Sequence, residues 1–140
     1  MGYKDANSGE FDADSKHKVI DFMPGQSDEI DKGGTLRLGK YPCVIKSGST
    51  MERLYGKMEI SERHRHRYEF NNDYKDEFIK NGLTIGGMSP DGRLVETVEL
   101  TERPFYVGVQ FHPEFKSRPN KAHPLFKGFI KASLEHKESK

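Results

Sequence analysis

Cysteine is almost missing from this chain of 140 residues, since only Cys43 carries a thiol. An internal disulfide and a thiolate metal cage are therefore excluded. Long apolar runs are missing as well: no stretch approaches the length of a membrane span. The opening "MGYKDANSGEFDADSK" has no apolar core of the kind a signal peptide carries. A cytoplasmic protein is expected, with no membrane as partner. Nor is charge of one sign in excess, because 23 Lys and Arg face 22 Asp and Glu and the formal net charge is +1. Such a balance supplies no global field to recruit nucleic acid, so none is expected, and any basic site must be local. Only 33% of the residues are hydrophobic and the mean hydropathy is −0.86. The expectation is a single domain with a lean core and loose ends.

What is present is short strands separated by turn residues. Residues 1–16 are polar and rich in Asp and Gly, and are expected as a loop. "KVIDFM" reads as one short strand before the turn-rich "PGQSDEIDKGG". "TLRLGKYPCVI" alternates apolar and polar residues about a Gly-Lys-Tyr-Pro turn, which predicts two short strands. After the extended "ISERHRHRYEFN", a short helix is expected over 72–81, with Asn72 or Asp73 as its cap, Tyr74, Phe78 and Ile79 as its apolar stripe and Gly82 as its stop. "LTIGGMSPDGRLVETVEL" predicts a hairpin around Pro-Asp-Gly. "FYVGVQF" predicts a well-buried strand. Leu125, Phe126, Phe129, Ile130 and Leu134 then recur at helical spacing, so a C-terminal helix should close the chain, leaving 137–140 as a loose tail. This order of strands with two helices fits an α/β layer arrangement.

Three places carry chemistry. In "YVGVQFHPEF" a strand ends in His112, with Glu114 two positions on and Pro113 between them fixing φ. A carboxylate so placed can orient the imidazole as a general base, although a turn residue beside a surface acid fits the spacing equally well. The pair lacks a nucleophile. In "RHRHRYE" strand alternation sends Arg63, Arg65, Arg67 and Glu69 to one face and His64, His66 and Tyr68 to the other. A charged edge strand, a nucleic-acid patch, a zinc site and an Arg clamp for a substrate carboxylate are all open readings there. Zinc is the poorest, because two His at i, i+2 bring no further ligand spacing, and no metal site is expected. Cys43 sits between Pro42 and Val44 without the small neighbours of a nucleophile turn, and reads as a small core residue.

Taken together, "ANSGEFD", "GGTLRLG", "ERHRHRYEFNN", "GVQFHPEF" followed by "KSRP", and "HPLFKGFIKAS" resemble the C-terminal part of the class I glutamine amidotransferase domain of the CTP synthase family. The resemblance spans nearly all of residues 1–140 and implies part of a flavodoxin-like α/β domain. It implies that His112 is the triad base and Glu114 its orienting acid. It further implies that Arg67 holds the α-carboxylate of L-glutamine and that Glu10 binds the backbone end of glutamine. The family's nucleophilic Cys stands in a Gly-rich elbow that would lie upstream of residue 1, so the isolated chain is expected to be inactive. A synthetase domain binding ATP, UTP and magnesium would lie further upstream, in an enzyme expected to be a homo-oligomer. This portion is expected to bind no cofactor of its own. A non-catalytic module binding glutamine or a partner subunit is the alternative reading.

Overall fold

A computed structural model describes residues 2–22 and 37–140. The turn-rich stretch expected at 24–34, and the Met23 and Thr35 ends of the strands expected beside it, lie outside the described residues. The described chain forms two sheets. A small sheet has β1 (Ala6–Ser8) parallel to β2 (His17–Phe22), and β2 antiparallel to β5 (Tyr68–Phe70). A larger antiparallel sheet runs β4 (Glu59–His66), β3 (Arg37–Ile45), β6 (Thr84–Met88), β7 (Val95–Glu99), β8 (Val107–Val109). Three α-helices accompany them: α1 (Thr50–Tyr55), α2 (Lys75–Lys80) and α3 (Pro124–Glu138). Two 3₁₀ turns, Asn72–Tyr74 and Pro113–Phe115, complete the order.

The hairpin expected around Pro-Asp-Gly is β6–β7, with Ser89 Oγ 2.5 Å from Asp91 and Gly92 at φ +69° closing the turn. The 72–81 segment is helical but begins as a 3₁₀ turn capped by Asn71, whose side chain accepts from the Asp73 N–H at 3.0 Å. Gly82, at φ +95°, ends it. Four expectations are corrected. The "TLRLGKYPCVI" segment contains one strand rather than two. β3 pairs with β4 from Arg37 to Val44 but with β6 only at Val44 and Ile45, so Gly39 and Pro42 lie where one side is open and a missing N–H goes unpunished. "FYVGVQF" gives only a three-residue, half-buried edge strand, paired with β7 alone. The opening loop contains β1, and α3 runs through Glu138 into the expected tail.

The core gathers Cys43, Ile45, Met51, Ile60, Phe111 and Leu125, with Leu54, Tyr55, Val107 and Val109 packed against it. Close approach requires glycine in β6: a Cβ on Gly87 would stand 2.7 Å from Cys43 Sγ, and one on Gly86 2.7 Å from Thr97 Oγ1. Glu99, fully buried, accepts the N–H groups of Thr50 at 2.7 Å and Met51 at 3.3 Å, fixing α1 against β7. On α3 only Leu125 is buried. Phe129, Ile130 and Leu134, which share its apolar stripe, are 53%, 57% and 55% exposed. That helix closes on α1 at one end, where a Cβ on Gly128 would collide with Leu54, and leaves the rest of its apolar stripe uncovered.

Candidate functional site

β8 delivers the chain into Gln110 and Phe111, and the buried Phe111 ring anchors the strand end in the core. His112 follows with extended backbone, φ −107° and ψ 92°, as the residue before Pro113 demands. The 3₁₀ turn after it folds Glu114 back, so Glu114 Oε1 lies 2.8 Å from His112 Nδ1. The hydrogen bond to the imidazole holds the Glu114 carboxyl below the usual carboxylate range. With Nδ1–H donating to that carboxylate, Nε2 keeps its lone pair for proton transfer. Two contacts tie this segment to β4: the His112 N–H donates to Arg63 O at 2.9 Å, and Lys116 Nζ donates to Ser61 O at 2.6 Å.

His112 lines an open cleft of about 730 Å³ between the two sheets, together with Ser8, Glu10, Phe11, Ile20, Arg65, His66, Arg67, Tyr68 and Gln110. Three of the residues singled out in the sequence, Glu10, Arg67 and His112, thus share one wall-to-wall space, and Glu114 stands behind His112. Glu10 lies in the exposed turn after β1, its N–H donating to Ser8 Oγ at 3.2 Å. Arg67 occupies the break between β4 and β5. Its guanidinium carbon lies 5.3 Å from the Tyr68 ring centroid and 5.9 Å from that of Phe22, and those two rings stack at 4.6 Å. A guanidinium held over aromatic faces keeps its fork free for a carboxylate.

Cys43 takes no part. It is 1% exposed within β3 and burial pushes its thiol up to about 12, so it presents no thiolate.

The alternation expected for "RHRHRYE" holds from Arg63 to His66, with the arginines exposed and His64 buried, and fails after it. The strand break turns Glu69 inward. There it accepts from Arg37 Nη1 at 3.1 Å, while Arg37 Nη2 donates to Glu96 at 2.6 Å. All three are at most 5% exposed. Burial drives the Glu69 carboxyl up to about 7 although Arg37 opposes it, and drives Glu96 upward as well. His64 and His66 complete the cluster, their rings joined Nδ1 to Nε2 at 2.8 Å, and burial lowers them to about 3 and about 4. A second buried group escaped notice too: Glu62 takes Tyr55 Oη at 3.1 Å, His123 at 3.3 Å and Lys116 at 3.2 Å. Burial would raise Glu62, but the His123 hydrogen bond and the Lys116 charge hold it below its ordinary value. The only hint of either cluster was the density of acids and His in strand-like segments.

A paired His and carboxylate at a strand end, opening on a cleft with an arginine opposite, is an arrangement that can move a proton beside a bound carboxylate. Residues 9–132 match the model of the glutamine amidotransferase class-I family, and the chain belongs to that family. Within it, the chain is 55% identical over all 140 residues to the CTP synthases of Staphylococcus aureus strains JH9 and Newman, and spans 26% of their length. Its structure superposes with a TM-score of 0.87 on the glutaminase domain of Trypanosoma brucei CTPS with bound acivicin. That match is 36% identical and covers 96% of this chain and 52% of the other. A Thermoplasma acidophilum protein described as a GMP synthase subunit shares the fold at 20% identity, with a TM-score of 0.52, covering 74% of this chain and 47% of the other. The chain is homologous to part of a CTP synthase glutaminase domain.

Proposed function

We propose that this chain acts as the C-terminal part of a glutaminase domain that frees ammonia from L-glutamine, for ATP-dependent amination of UTP to CTP in the cytoplasm. The observation that carries the reading is the His112–Glu114 pair, 2.8 Å apart, opening on the cleft that Arg67 and Glu10 share. Arg67 takes the α-carboxylate of glutamine in a charge-assisted bond, and Glu10 takes its ammonium end. A thiol supplied upstream gives its proton to His112 Nε2 and, as the thiolate, attacks the side-chain amide carbon. The C–N bond breaks as His112 delivers a proton from Nε2 to the leaving nitrogen, and ammonia departs. Water, deprotonated by the same nitrogen, then cleaves the γ-glutamyl thioester to glutamate and restores the thiol.

The reading assigns the thiol to an upstream partner because Cys43 is buried in the core. Two further features support an upstream half: β8 is an edge strand, and the outer face of α3 presents Phe126, Phe129, Ile130 and Leu134. ATP, UTP and magnesium belong, in this reading, to a synthetase domain, and the assembled enzyme is a homo-oligomer. No residue here is assigned to those ligands.

The test is ammonia release from glutamine by the chain alone, and by the chain assembled with the upstream part of the Staphylococcus aureus CTP synthase. Turnover only in the assembly, abolished by His112→Ala and retained by Cys43→Ala, is expected. Turnover by the isolated chain that depends on Cys43 would overturn the reading. Tight glutamine binding without the upstream part, with no turnover in either sample, would favour a binding module.

A further inference from the structure

His64 and His66 belong to a hydrogen-bond chain that is one proton short. It has three gaps, two of them bridged, Tyr68 O to His66 Nδ1 at 3.0 Å and His66 Nε2 to His64 Nδ1 at 2.8 Å, and one open, His64 Nε2 to Glu96 Oε2 at 3.7 Å, longer than a hydrogen bond. Each gap needs one hydrogen, and two neutral imidazoles carry one N–H each. Tyr68 O can only accept, so His66 spends its hydrogen there and His64 spends its own on His66. The lone pair of His64 Nε2 then faces Glu96 Oε2, with both residues at most 1% exposed. Among the described residues neither atom has a hydrogen-bond partner. Two buried acceptors left facing each other are costly, and one proton between them removes the conflict.

The charges of the cluster ask for the same proton. Among the described residues Arg37 alone answers Glu69 and Glu96, so the buried group they form carries one uncompensated negative charge when both acids are ionised. Among the described residues the other surroundings of His64 supply no anion: Arg37 and the Tyr41 ring from β3, His66 from its own strand, the Phe111 ring and the His112 side from the end of β8; Asp91, in the β6–β7 turn, adds negative charge on the Glu96 side. Burial pushes Glu96 up and both imidazoles down, which seats the added proton on the carboxyl.

At the far end of the chain, the His66 Nδ1–H bond to Tyr68 O spans Arg67. It closes the turn between β4 and β5 from which the Arg67 side chain lines the cleft. We propose that one proton, carried by Glu96, draws its carboxyl onto His64 Nε2 and closes that gap to a hydrogen bond, and that the chain so closed from Glu96 through His64 and His66 to Tyr68 O is the device that positions Arg67. His64, His66 and Glu96 are thus positioning residues. The positioning role rests on the glutamine reading of the cleft, whereas the proton does not.

The test uses the chain assembled with the upstream part of the Staphylococcus aureus enzyme. His66→Ala should raise the glutamine KM on the order of tenfold or more with much less change in kcat, as expected for loss of an aligned charged contact. Glu96→Ala should do the same. Glu96→Gln should recover most of that loss, because its amide supplies the third hydrogen while its oxygen still accepts from Arg37. In the unmodified protein KM should climb with pH as the shared proton leaves, and in Glu96→Gln that climb should vanish. Equal KM loss in Glu96→Gln and Glu96→Ala, or a climb removed by Glu69→Gln instead, would overturn the proposal. Nitrogen NMR of the unmodified protein, labelled at the histidines of this chain only, decides the proton without a variant. A hydrogen-bonded or protonated His64 Nε2 near neutral pH supports it, and a bare, unbonded Nε2 sinks it. If the unmodified assembly releases no ammonia, the glutamine reading and the positioning role fail together, while the NMR result still decides the proton.

Discussion

Glu114 Oε1 lies 2.8 Å from Nδ1 of His112, across a 3₁₀ turn that Pro113 begins. The carboxylate fixes the tautomer in which Nε2 is the basic nitrogen. In the assembled enzyme, His112→Ala should therefore cost on the order of 10²- to 10⁴-fold in kcat. Glu114→Gln keeps the shape of the pair but can present its NH₂ to Nδ1 and favour the wrong tautomer, so a fall of at least about 10²-fold is expected. The Glu114 carboxyl is held low, so the pair persists above the ordinary carboxylate range and is lost only as pH falls through the lowered value. Ammonia release followed against pH checks both statements.

Arg67 stands over the Tyr68 and Phe22 rings at the break between β4 and β5. If its fork holds a substrate carboxylate, Arg67→Ala should raise the glutamine KM by roughly 10- to 100-fold, corresponding to about 1.5–3 kcal/mol for a hydrogen bond to a charged group. Arg67→Lys should recover little, because a point charge replaces two parallel donors. Steady-state kinetics at fixed salt would show it. A kcat loss at unchanged KM would place Arg67 elsewhere in the reaction.

The buried cluster sets a pH dependence of stability. Glu69 rises from an ordinary value of 4.5 to about 7, and Glu96 moves in the same direction. Raised carboxyls bind more protons folded than unfolded, so their contribution is complete at acid pH and is lost as pH rises through the folded values. The two acids therefore lower stability between pH 5 and pH 8, by up to about 3 kcal/mol in free energy for a shift of that size, while His64 and His66, pushed down by burial, act the other way over the lower part of that window. Measured against a double variant, Glu69→Gln with Glu96→Gln, the unmodified chain should lose urea stability as pH rises. A difference between the two that grows in favour of the unmodified chain with pH would reverse the sign and refute the account.

Local chemistry was legible where it rests on neighbours in sequence. His112, Pro113 and Glu114 lie within three residues, and the Pro-Asp-Gly turn carries its own geometry, so both could be read directly. The residues that meet across strands could not. Glu69 was placed with the arginines because alternation assumes one unbroken strand, and after the break at Arg67 both Tyr68 and Glu69 are buried. Arg37, Glu69 and Glu96 come from three strands, and no spacing rule links them. The apolar stripe of α3 was correctly seen as a stripe, but which part is covered depends on packing partners: Leu125 is buried, Phe126 and Phe129 meet the His123 and Phe105 rings edge-on and stay 41% and 53% exposed, and Ile130 and Leu134 are more than half exposed.

That uncovered stripe gives the last test. Ile130 and Leu134 are 57% and 55% exposed, so their side chains contribute little to the folded chain by itself. Ile130→Asp with Leu134→Asp should shift the urea midpoint of the isolated chain by no more than about 0.5 kcal/mol per site, as for surface positions generally. If the stripe instead receives the upstream half of the domain, the same pair buries two carboxylates at an apolar contact. Association with the upstream part should then weaken by at least about tenfold, and ammonia release should fall with it. Titration of one part into the other, with ammonia release as readout, separates the cases. Unchanged association would mean that the upstream half packs elsewhere, on the free edge of β8, and that the α3 face serves some other contact.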